Sequence, residues 1–173
     1  RVRASGAGGG EMTDFHFASS QTDEAMELVR VFHYSHRWPS NVQVVGTFHG
    51  DGGLFGDLGE CVAACVFSIP PTRWSLPVWE LSRLVRRDDV EVALSSLIAK
   101  TAKLCAADLL VSFADRTHGH HGGIYQACSW KYDGCRDRKH LYWRAMTRKG
   151  RAMAEQLGLK DIAYPKPKMA AVK

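Results

Sequence analysis

The sequence predicts a single α/β domain in which helices flank a mixed central sheet. The chain of 173 residues is long enough for one domain with a substantial core and short for two. Runs rich in β-branched and aromatic residues alternate with segments whose apolar residues recur at helical spacing. In the middle of the chain, "PVWELSRLV", "VALSSLIAKTAKLCAA" and "LLVSFA" indicate a strand, a helix and a strand. Such a unit requires a parallel strand pair joined by a right-handed crossover.

Residues 1–13 differ from the rest of the chain. The segment "RVRASGAGGGEMT" is rich in Gly and Ala and shows no apolar period. We expect a disordered leader or a remnant of cloning here, which leaves residues 14–173 as the domain.

The first half of the domain is expected to contain a strand, a helix and a hairpin. "DFHFAS" predicts the strand and "SQTDEAMELVRVFHY" the helix, which Ser20 can cap. The apolar face of this helix comprises Ala25, Leu28, Val29 and Phe32. Pro39 prevents the helix from continuing through "HYSHRWPS". "VQVVGTF" and "CVAACVFSI" predict the hairpin, joined by a Gly-rich loop.

The second half continues from the central strand–helix–strand unit. The apolar face of its helix comprises Leu94, Leu97, Ile98, Thr101 and Leu104. "GGIYQACSW" predicts a short helix and "HLYWRAM" a further strand. "TRKGRAMAEQLG" predicts a basic helix that ends at Gly158, before an extended "YPKPK".

The net charge of +5 is concentrated at one end of the chain. Residues 131–173 hold 12 Lys or Arg against 4 Asp or Glu, whereas residues 1–130 hold 11 against 14. This asymmetry favours a polyanionic partner such as nucleic acid, the alternative being a solvated basic tail. No apolar run approaches the roughly 20 residues that cross a bilayer, so we expect no membrane contact and an intracellular location.

The five cysteines have no CxxC spacing, and three of them lie in apolar segments. We expect reduced thiols that pack as small hydrophobic side chains, in preference to a zinc site or disulfides.

Polar residues follow two central strands at the point where ligands bind to sheets of this kind. Glu80 and Ser82 end one strand, Ser112 and Asp115 end the other, and Tyr125 begins the helix that follows. A carboxyl group beside a phenol is a workable acid–base pair, so these residues form the predicted site.

Each of these residues also has a structural interpretation. Glu80 could pair with Arg83 or Arg86 at the surface, Asp115 could cap a turn, and Tyr125 could be a core aromatic residue.

Two histidine-containing segments are further candidates. "HYSHRWP" brings His33, Tyr34, Arg37 and Trp38 together, which suits a stacked base or a phosphate, although a packed helix end has the same composition. In "RTHGHHGG", His118, His120 and His121 could bind a metal ion. The glycines of that loop are better explained by close approach to a ligand or a sharp turn into the next helix.

The order of these motifs resembles the GNAT acyltransferases and, more closely, the phage Mom-type DNA-modification proteins. "HYSHRWP", "ELSRL", "SFAD", "GHHGGIYQACSW" and "YPKPK" carry the resemblance, over roughly residues 14–168. It implies a GNAT-like fold and an enzyme that adds a small carbamoylmethyl-type group to the exocyclic amine of adenine in double-stranded DNA. Such a modification protects phage DNA from restriction, in the cytoplasm of the host cell.

The resemblance also implies roles for individual residues. Glu80 occupies the place of a general base, and Tyr125 that of the acid that protonates a leaving thiolate. His33, Tyr34, Ser112 and Asp115 would line the pocket, with Arg37 and Trp38 as further substrate contacts. The DNA backbone would contact Arg136, Arg138, Lys139, Arg148, Lys149 and Arg151.

The donor implied by the resemblance is acetyl-CoA or a related acyl donor, bound at Leu84, Val85, Arg86 and Arg87. In GNAT proteins, a Gly-rich basic loop at this place binds the pyrophosphate. Here the loop is "RRDDVEVALSS", which has no glycine and three acids that repel phosphate. A different donor, or a metal such as iron acting through His33, therefore stays open.

Two other functions fit the same residues. One is a conventional acetyl-CoA-dependent N-acetyltransferase, which would acetylate a free amine without DNA. The other is a non-enzymatic DNA-binding module on a GNAT-like scaffold, whose DNA binding would survive Glu80→Ala and Asp115→Ala.

Overall fold

The computed structural model describes residues 2–3, 14–19, 22–52, 58–71 and 73–164. The strands are β1 (Val2–Arg3), β2 (Asp14–Ser19), β3 (Val42–Asp51), β4 (Leu58–Ser68), β5 (Trp79–Arg86), β6 (Leu109–Asp115), β7 (Lys131–Arg136) and β8 (Lys139–Ala145). The helices are α1 (Thr22–Phe32), α2 (Leu94–Ala102), α3 (Gly123–Ala127) and α4 (Arg148–Gln156), with a 3₁₀ turn at Arg116–His118. None of the helices in these ranges is long and apolar enough to cross a membrane.

The described strands form one mixed sheet in the order β1-β2-β3-β4-β5-β6-β8-β7. Neighbouring strands are antiparallel except for β5 and β6, which are parallel. The predicted α/β class, the mixed sheet and the parallel pair around α2 are therefore confirmed.

Two strands were absent from the sequence prediction. β7 was missed because "KYDGCR" lacks an apolar alternation: Asp133 is buried, and Arg136 pairs with it at 2.6 Å. From residues 1–13 the structure describes only β1, which pairs with β2. The rest of that segment lies outside the described residues, as does "YPKPK" after Tyr164.

The helices divide between the two faces of the sheet. In β4, Ala64 and Val66 pack with residues of α1, whereas Cys65 and Phe67 pack with residues of α2. Alternate residues of a strand point to opposite faces, so α1 and α2 cover opposite faces. α4 packs on Leu109 and Val111 of β6, on the α1 side. Leu104 was predicted to lie on the apolar face of α2. This prediction is wrong, because α2 ends at Ala102 and the Leu104 side chain is exposed.

β5 and β6 pair only briefly. Their register runs from Trp79↔Leu110 to Leu81↔Ser112, although β5 continues to Arg86 and β6 to Asp115. Opposite β4, the register shifts at Ser82, which is therefore an extra residue in β5. A bulge of this kind bends a strand. Residues 82–86 of β5 and 113–115 of β6 therefore do not pair with each other. On the sides where these two segments face one another, their backbone groups have no partner strand among the described residues.

Candidate active site

A cavity of about 550 Å³ lies between the unpaired edges of β5 and β6. Its walls come from β5, β6, the start of α2, the end of α1 and the segment 119–126. Tyr125 lies in this wall, and we call it the Tyr125 cavity. None of its lining residues is an Asp, Glu, Lys or Arg.

Tyr125 is held by the turn that precedes it. Gly122 has φ +71°, and a Cβ there would lie 2.1 Å from the Tyr142 hydroxyl oxygen. Only glycine allows this approach, which starts α3 directly against Tyr142. The Tyr125 ring then stacks on the Tyr142 ring, with centroids 4.7 Å apart. The glycines therefore provide the sharp turn that was predicted, and Gly122 approaches a side chain.

The Ser112 hydroxyl contacts the hydroxyl group of Tyr125. It is fully buried and lies 3.0 Å from the carbonyl oxygen of Leu81, to which it donates, and 2.8 Å from the Tyr125 hydroxyl. Burial raises the pKa of Tyr125 above its ordinary value. Tyr125 is therefore a neutral phenol at physiological pH, able to donate a proton. Ser112 itself is absent from the cavity wall.

The predicted segment "HYSHRWP" reaches the same cavity through His33 and Tyr34. The Tyr34 ring lies 4.3 Å from the His33 ring and 4.0 Å from the His118 ring, between centroids. The backbone N–H of Ser35 donates to His33 Nδ1 at 3.1 Å. Burial, with the nearby charge of Arg83, lowers the pKa of His33 to about 4. His33 is therefore neutral near pH 7, and its remaining ring nitrogen, Nε2, carries the proton.

Asp115 lies at the end of β6 and caps the 3₁₀ turn. Its Oδ1 accepts hydrogen bonds from the Thr117 backbone N–H at 2.9 Å and from the Thr117 hydroxyl at 2.6 Å. These bonds to Thr117 lower the pKa of Asp115. The carboxylate is thus engaged by its own turn, which was the structural interpretation of this residue.

Glu80 points to the opposite face of the sheet, into a second cavity of about 550 Å³ that we call the Glu80 cavity. It is lined by Pro71, Arg73, Trp74, Glu80, Phe113, Arg136, Asp137, Lys139 and Leu141. Burial raises the pKa of Glu80, and Arg83 and Lys139 oppose this shift. The indole nitrogen of Trp74 is buried and has no hydrogen-bond partner among the described residues. Phe113 lines both cavities, so the two are neighbours beside the gap between β5 and β6.

The other predicted substrate contacts lie beside the cavities. The Arg37 side chain is exposed, and its carbonyl accepts a hydrogen bond from Arg83 Nε at 2.8 Å. Trp38 packs against the core cluster under α1. Neither residue lines the Tyr125 cavity or the Glu80 cavity.

The four residues predicted to contact the donor lie in different environments. Leu84 lines the Tyr125 cavity, whereas Val85 is buried under α1. The Arg86 guanidinium donates to the Val90 carbonyl at 2.6 Å. Arg87 forms ion pairs with Glu60 and with Asp89. The two arginine side chains expected at the phosphates therefore already have partners.

The start of α2 is the other feature that bears on a phosphate. The first turn of α2 holds no acid, and Ala93 provides no side-chain cap. The three acids of the preceding loop therefore stay outside the helix, where Asp89 is neutralised by Arg87.

The predicted DNA contacts form two groups. Arg136, Arg138 and Lys139 surround the β7–β8 turn, and Arg136 and Lys139 line the Glu80 cavity. Arg148, Lys149 and Arg151 belong to α4, where Lys149 pairs with Asp108 at 3.0 Å. Asp108, the partner of Lys149, lies just before the start of β6, whereas Lys139 pairs with Asp115 at the end of β6. The two groups therefore lie at opposite ends of a strand roughly 20 Å long.

Sequence reasoning missed Arg73, Trp74 and Phe113 as residues of a candidate site. Arg73 and Trp74 lie in "PPTRWSLP", which carries neither helical nor strand periodicity. Phe113 lies inside a strand that was predicted as buried. The one available signal was the cationic and aromatic pair Arg73–Trp74 beside two prolines.

Similar structures are acetyltransferases of low sequence identity. Arabidopsis thaliana NAA60 in complex with acetyl-CoA is 10% identical, with a TM-score of 0.54 over 77% of this chain and 100% of NAA60. An Acinetobacter baylyi protein assigned as an acetyltransferase is 13% identical, with a TM-score of 0.56 over 79% of this chain and 94% of its own. A Klebsiella pneumoniae protein assigned as an acyl-CoA N-acyltransferase is 10% identical, with a TM-score of 0.51 over 79% and 99%. The chain therefore has the GNAT fold that was expected.

The search of curated proteins found no match. The sequence profile of the Mom protein family, in contrast, matches residues 14–162, which is most of the chain. The chain therefore belongs to the Mom protein family.

Proposed function

We propose that this protein transfers a small group from an acyl-thioester donor to the exocyclic amine of adenine in DNA. One observation carries the proposal: two cavities of different chemistry share Phe113 as a lining residue. One presents a neutral buried phenol, and the other presents a carboxyl group of raised pKa among basic side chains. A transferase needs such an arrangement, with an acid for the leaving group and a base for the attacking group.

The donor belongs in the Tyr125 cavity. The unpaired edges at residues 82–86 and 113–115 offer backbone N–H and C=O groups, to which an extended chain such as pantetheine can bond like an added strand. Acetyl-CoA is the ligand of the NAA60 structure, which supports a donor of this class. A bound thioester would supply an activated carbon atom. Tyr125 would then hold the proton that the departing sulfur needs.

The acceptor belongs in the Glu80 cavity. Trp74 and Phe113 offer aromatic surfaces for a planar base, and the unpaired indole N–H of Trp74 offers a hydrogen-bond donor. Arg73, Arg136 and Lys139 at the same cavity suit a phosphate. The amine of a base-paired adenine is out of reach, so the base must be extruded, which costs a few kcal/mol. The flanking cations would offset that cost through the DNA backbone.

The reaction balances with these two groups. The adenine nitrogen forms a bond to the donor carbon and loses one proton, which Glu80 accepts. The carbon–sulfur bond breaks, and the sulfur takes its proton from Tyr125. The raised pKa of Glu80 makes its carboxylate a stronger base, which helps because the amine is a weak nucleophile. Ser112 orients Tyr125, and Asp115 orders the loop at the cavity mouth through Thr117.

The family resemblance implies a carbamoylmethyl-type product that protects phage DNA from restriction. In a carbamoylmethyl group the adenine nitrogen is bonded to a methylene carbon, whereas attack on a thioester bonds it to the carbonyl carbon. A carbamoylmethyl product therefore requires both a source of the amide nitrogen and a rearrangement after the acyl transfer. The mass of the added group separates acetyl from a nitrogen-containing group, and fragmentation of the modified nucleoside separates a glycyl amide from its isomer carbamoylmethyl.

The decisive experiment is mass spectrometry of nucleosides from DNA of cells that express the protein. We expect an adenosine of raised mass, absent from cells that express Glu80→Gln. Unmodified adenosine from cells with soluble, folded protein would overturn the proposal. Acetylation of free amines without DNA would instead establish the conventional N-acetyltransferase, and DNA binding without modification would establish the binding module.

A further inference from the structure

Three metal-ligating side chains come together away from both cavities. They are Glu24 in the first turn of α1, His49 in β3 and Cys61 in β4. One ligand atom of each lies within 4.8 Å of the other two, and His49 Nε2 is 3.5 Å from a carboxylate oxygen of Glu24. None of the three lines the Tyr125 cavity or the Glu80 cavity.

The β3–β4 pairing creates this cluster. His49 and Cys61 are directly opposed, and the register shifts on either side of His49. The side chains of such opposed residues lie on one face of the sheet. Cys61 packs with the core cluster of α1, and His49 contacts Glu24 of the same helix, so both face α1.

His49 already has the orientation of a metal ligand. Its Nδ1 lies 3.0 Å from the Gly59 carbonyl oxygen, to which Nδ1–H donates, so the neutral ring presents a lone pair at Nε2. Metal-binding histidines are commonly fixed in this way by a carbonyl behind the ring. Thr47 Oγ1 contacts Nε2 at 2.9 Å, and it has an alternative acceptor in the Ala18 carbonyl at 3.4 Å. A metal ion can therefore take the place of the Thr47 contact.

We propose that this cluster binds a zinc ion through His49 Nε2, the Cys61 thiolate and the Glu24 carboxylate, with water as the fourth ligand. Nitrogen, sulfur and carboxylate oxygen are the ligands that zinc prefers. Binding releases the Cys61 proton to solvent, and no electrons are transferred. Glu24 is half exposed, whereas His49 and Cys61 are buried, so the ion enters from the side of Glu24.

The ion would join α1 to the β3–β4 hairpin. The other end of α1 leads directly into His33 and Tyr34, which form part of the wall of the Tyr125 cavity. Zinc therefore stabilises the fold and the position of this wall, without contact with the reacting groups.

The test uses the full chain, stripped with chelator and then titrated with zinc chloride. We expect one retained zinc per chain by elemental analysis after desalting, and a melting temperature that rises by several degrees. Cobalt chloride should produce the absorption of a cobalt–thiolate bond. Glu24→Gln changes an exposed side chain and should weaken zinc binding by about tenfold or more. Cys61→Ser should abolish the cobalt–thiolate absorption.

Two control variants match these changes. Glu27→Gln removes a carboxylate one turn further along α1, where it pairs with Arg30. Cys135→Ser removes an exposed thiol. Both should bind zinc like the unaltered chain. The proposal is overturned if the unaltered chain retains no zinc, or if Glu24→Gln and Cys61→Ser bind it as tightly as the controls.

Discussion

The Tyr125 cavity and the Glu80 cavity lie on either side of one gap, yet their chemistry differs. The Tyr125 cavity is lined by apolar, imidazole and phenol groups, with no Asp, Glu, Lys or Arg. The Glu80 cavity is lined by Arg73, Glu80, Arg136, Asp137 and Lys139 among nine residues. The same two strands build both walls, because alternate residues of a strand point to opposite faces. The short β5–β6 pairing and the bulge open the gap, and the alternation gives its two sides different side chains. Phe113 is the residue that lines both cavities.

Under the proposed function, the uncharged cavity with its neutral phenol takes the thioester, and the charged cavity takes the nucleotide.

The largest effect is expected from Glu80→Gln. It preserves the shape of the side chain and removes the base that accepts the amine proton. We expect modification of adenine to fall by about 100-fold or more, as is typical for loss of a general base. Timed DNA modification assays with nucleoside mass spectrometry measure this. An active Glu80→Gln protein would remove the carboxylate from the mechanism.

A smaller loss, about 10- to 100-fold, is expected for Tyr125→Phe, because water can replace part of its proton donation. A donor with a more acidic leaving thiol should narrow the defect, since that sulfur departs without a proton. Tyr132→Phe is the control, because it removes a hydroxyl that contacts His140 and lines neither cavity. A defect that does not depend on the leaving thiol would assign Tyr125 to packing.

A comparison of Lys139→Ala with Arg151→Ala tests which basic group faces DNA. Each removes one exposed positive charge, but only Lys139 lines the Glu80 cavity. Lys139→Ala should weaken DNA binding and lower the slope of log affinity against log salt by about 0.9. Fluorescence anisotropy over a salt series measures both. An equal loss in Arg151→Ala would place α4 on the DNA as well.

The smallest effect concerns stability at low pH. Burial lowers the pKa of His33 from 6.5 to about 4, so between these values the unfolded chain binds more protons at this residue than the folded chain. Stability is therefore lost as pH falls through this window, by about 2 kcal/mol between pH 7 and pH 5. Urea unfolding of the unaltered chain, His33→Gln and the exposed control His121→Gln measures this. If the free energy of unfolding depends on pH in the same way in all three proteins, His33 is excluded as the source of the loss of stability.

Much of the fold followed from local patterns, and less of the site did. Ala25, Leu28 and Val29 on the buried face of α1 and the strands around α2 were predictable because each buries one face with a clear period, whereas the predicted Phe32 is exposed. β7 was not, because its buried Asp133 is stabilised by Arg136 and by contacts remote in sequence. Ser112 and Tyr125 were predicted as neighbours in one region, and the structure brings them within hydrogen-bond distance.

Glu80 and Tyr125 were predicted to share one pocket, and here the structure differs. A residue's position at the end of a strand was readable from the chain, but the face to which it points was not. That face depends on the bulge at Ser82, which only the pairing of β5 with β4 reveals. Asp115 likewise could cap a turn or face a ligand, and in the structure its Oδ1 accepts both hydrogen bonds from Thr117.

By itself, the sequence determined the α/β class and the parallel pair, and it indicated candidate acid–base residues near the end of that pair, because these depend on periodicity and residue type. Only the tertiary structure decided that Glu80 and Tyr125 face separate cavities and that Glu24, His49 and Cys61 converge. Both outcomes depend on strand register, which is set by pairing between segments far apart in the chain.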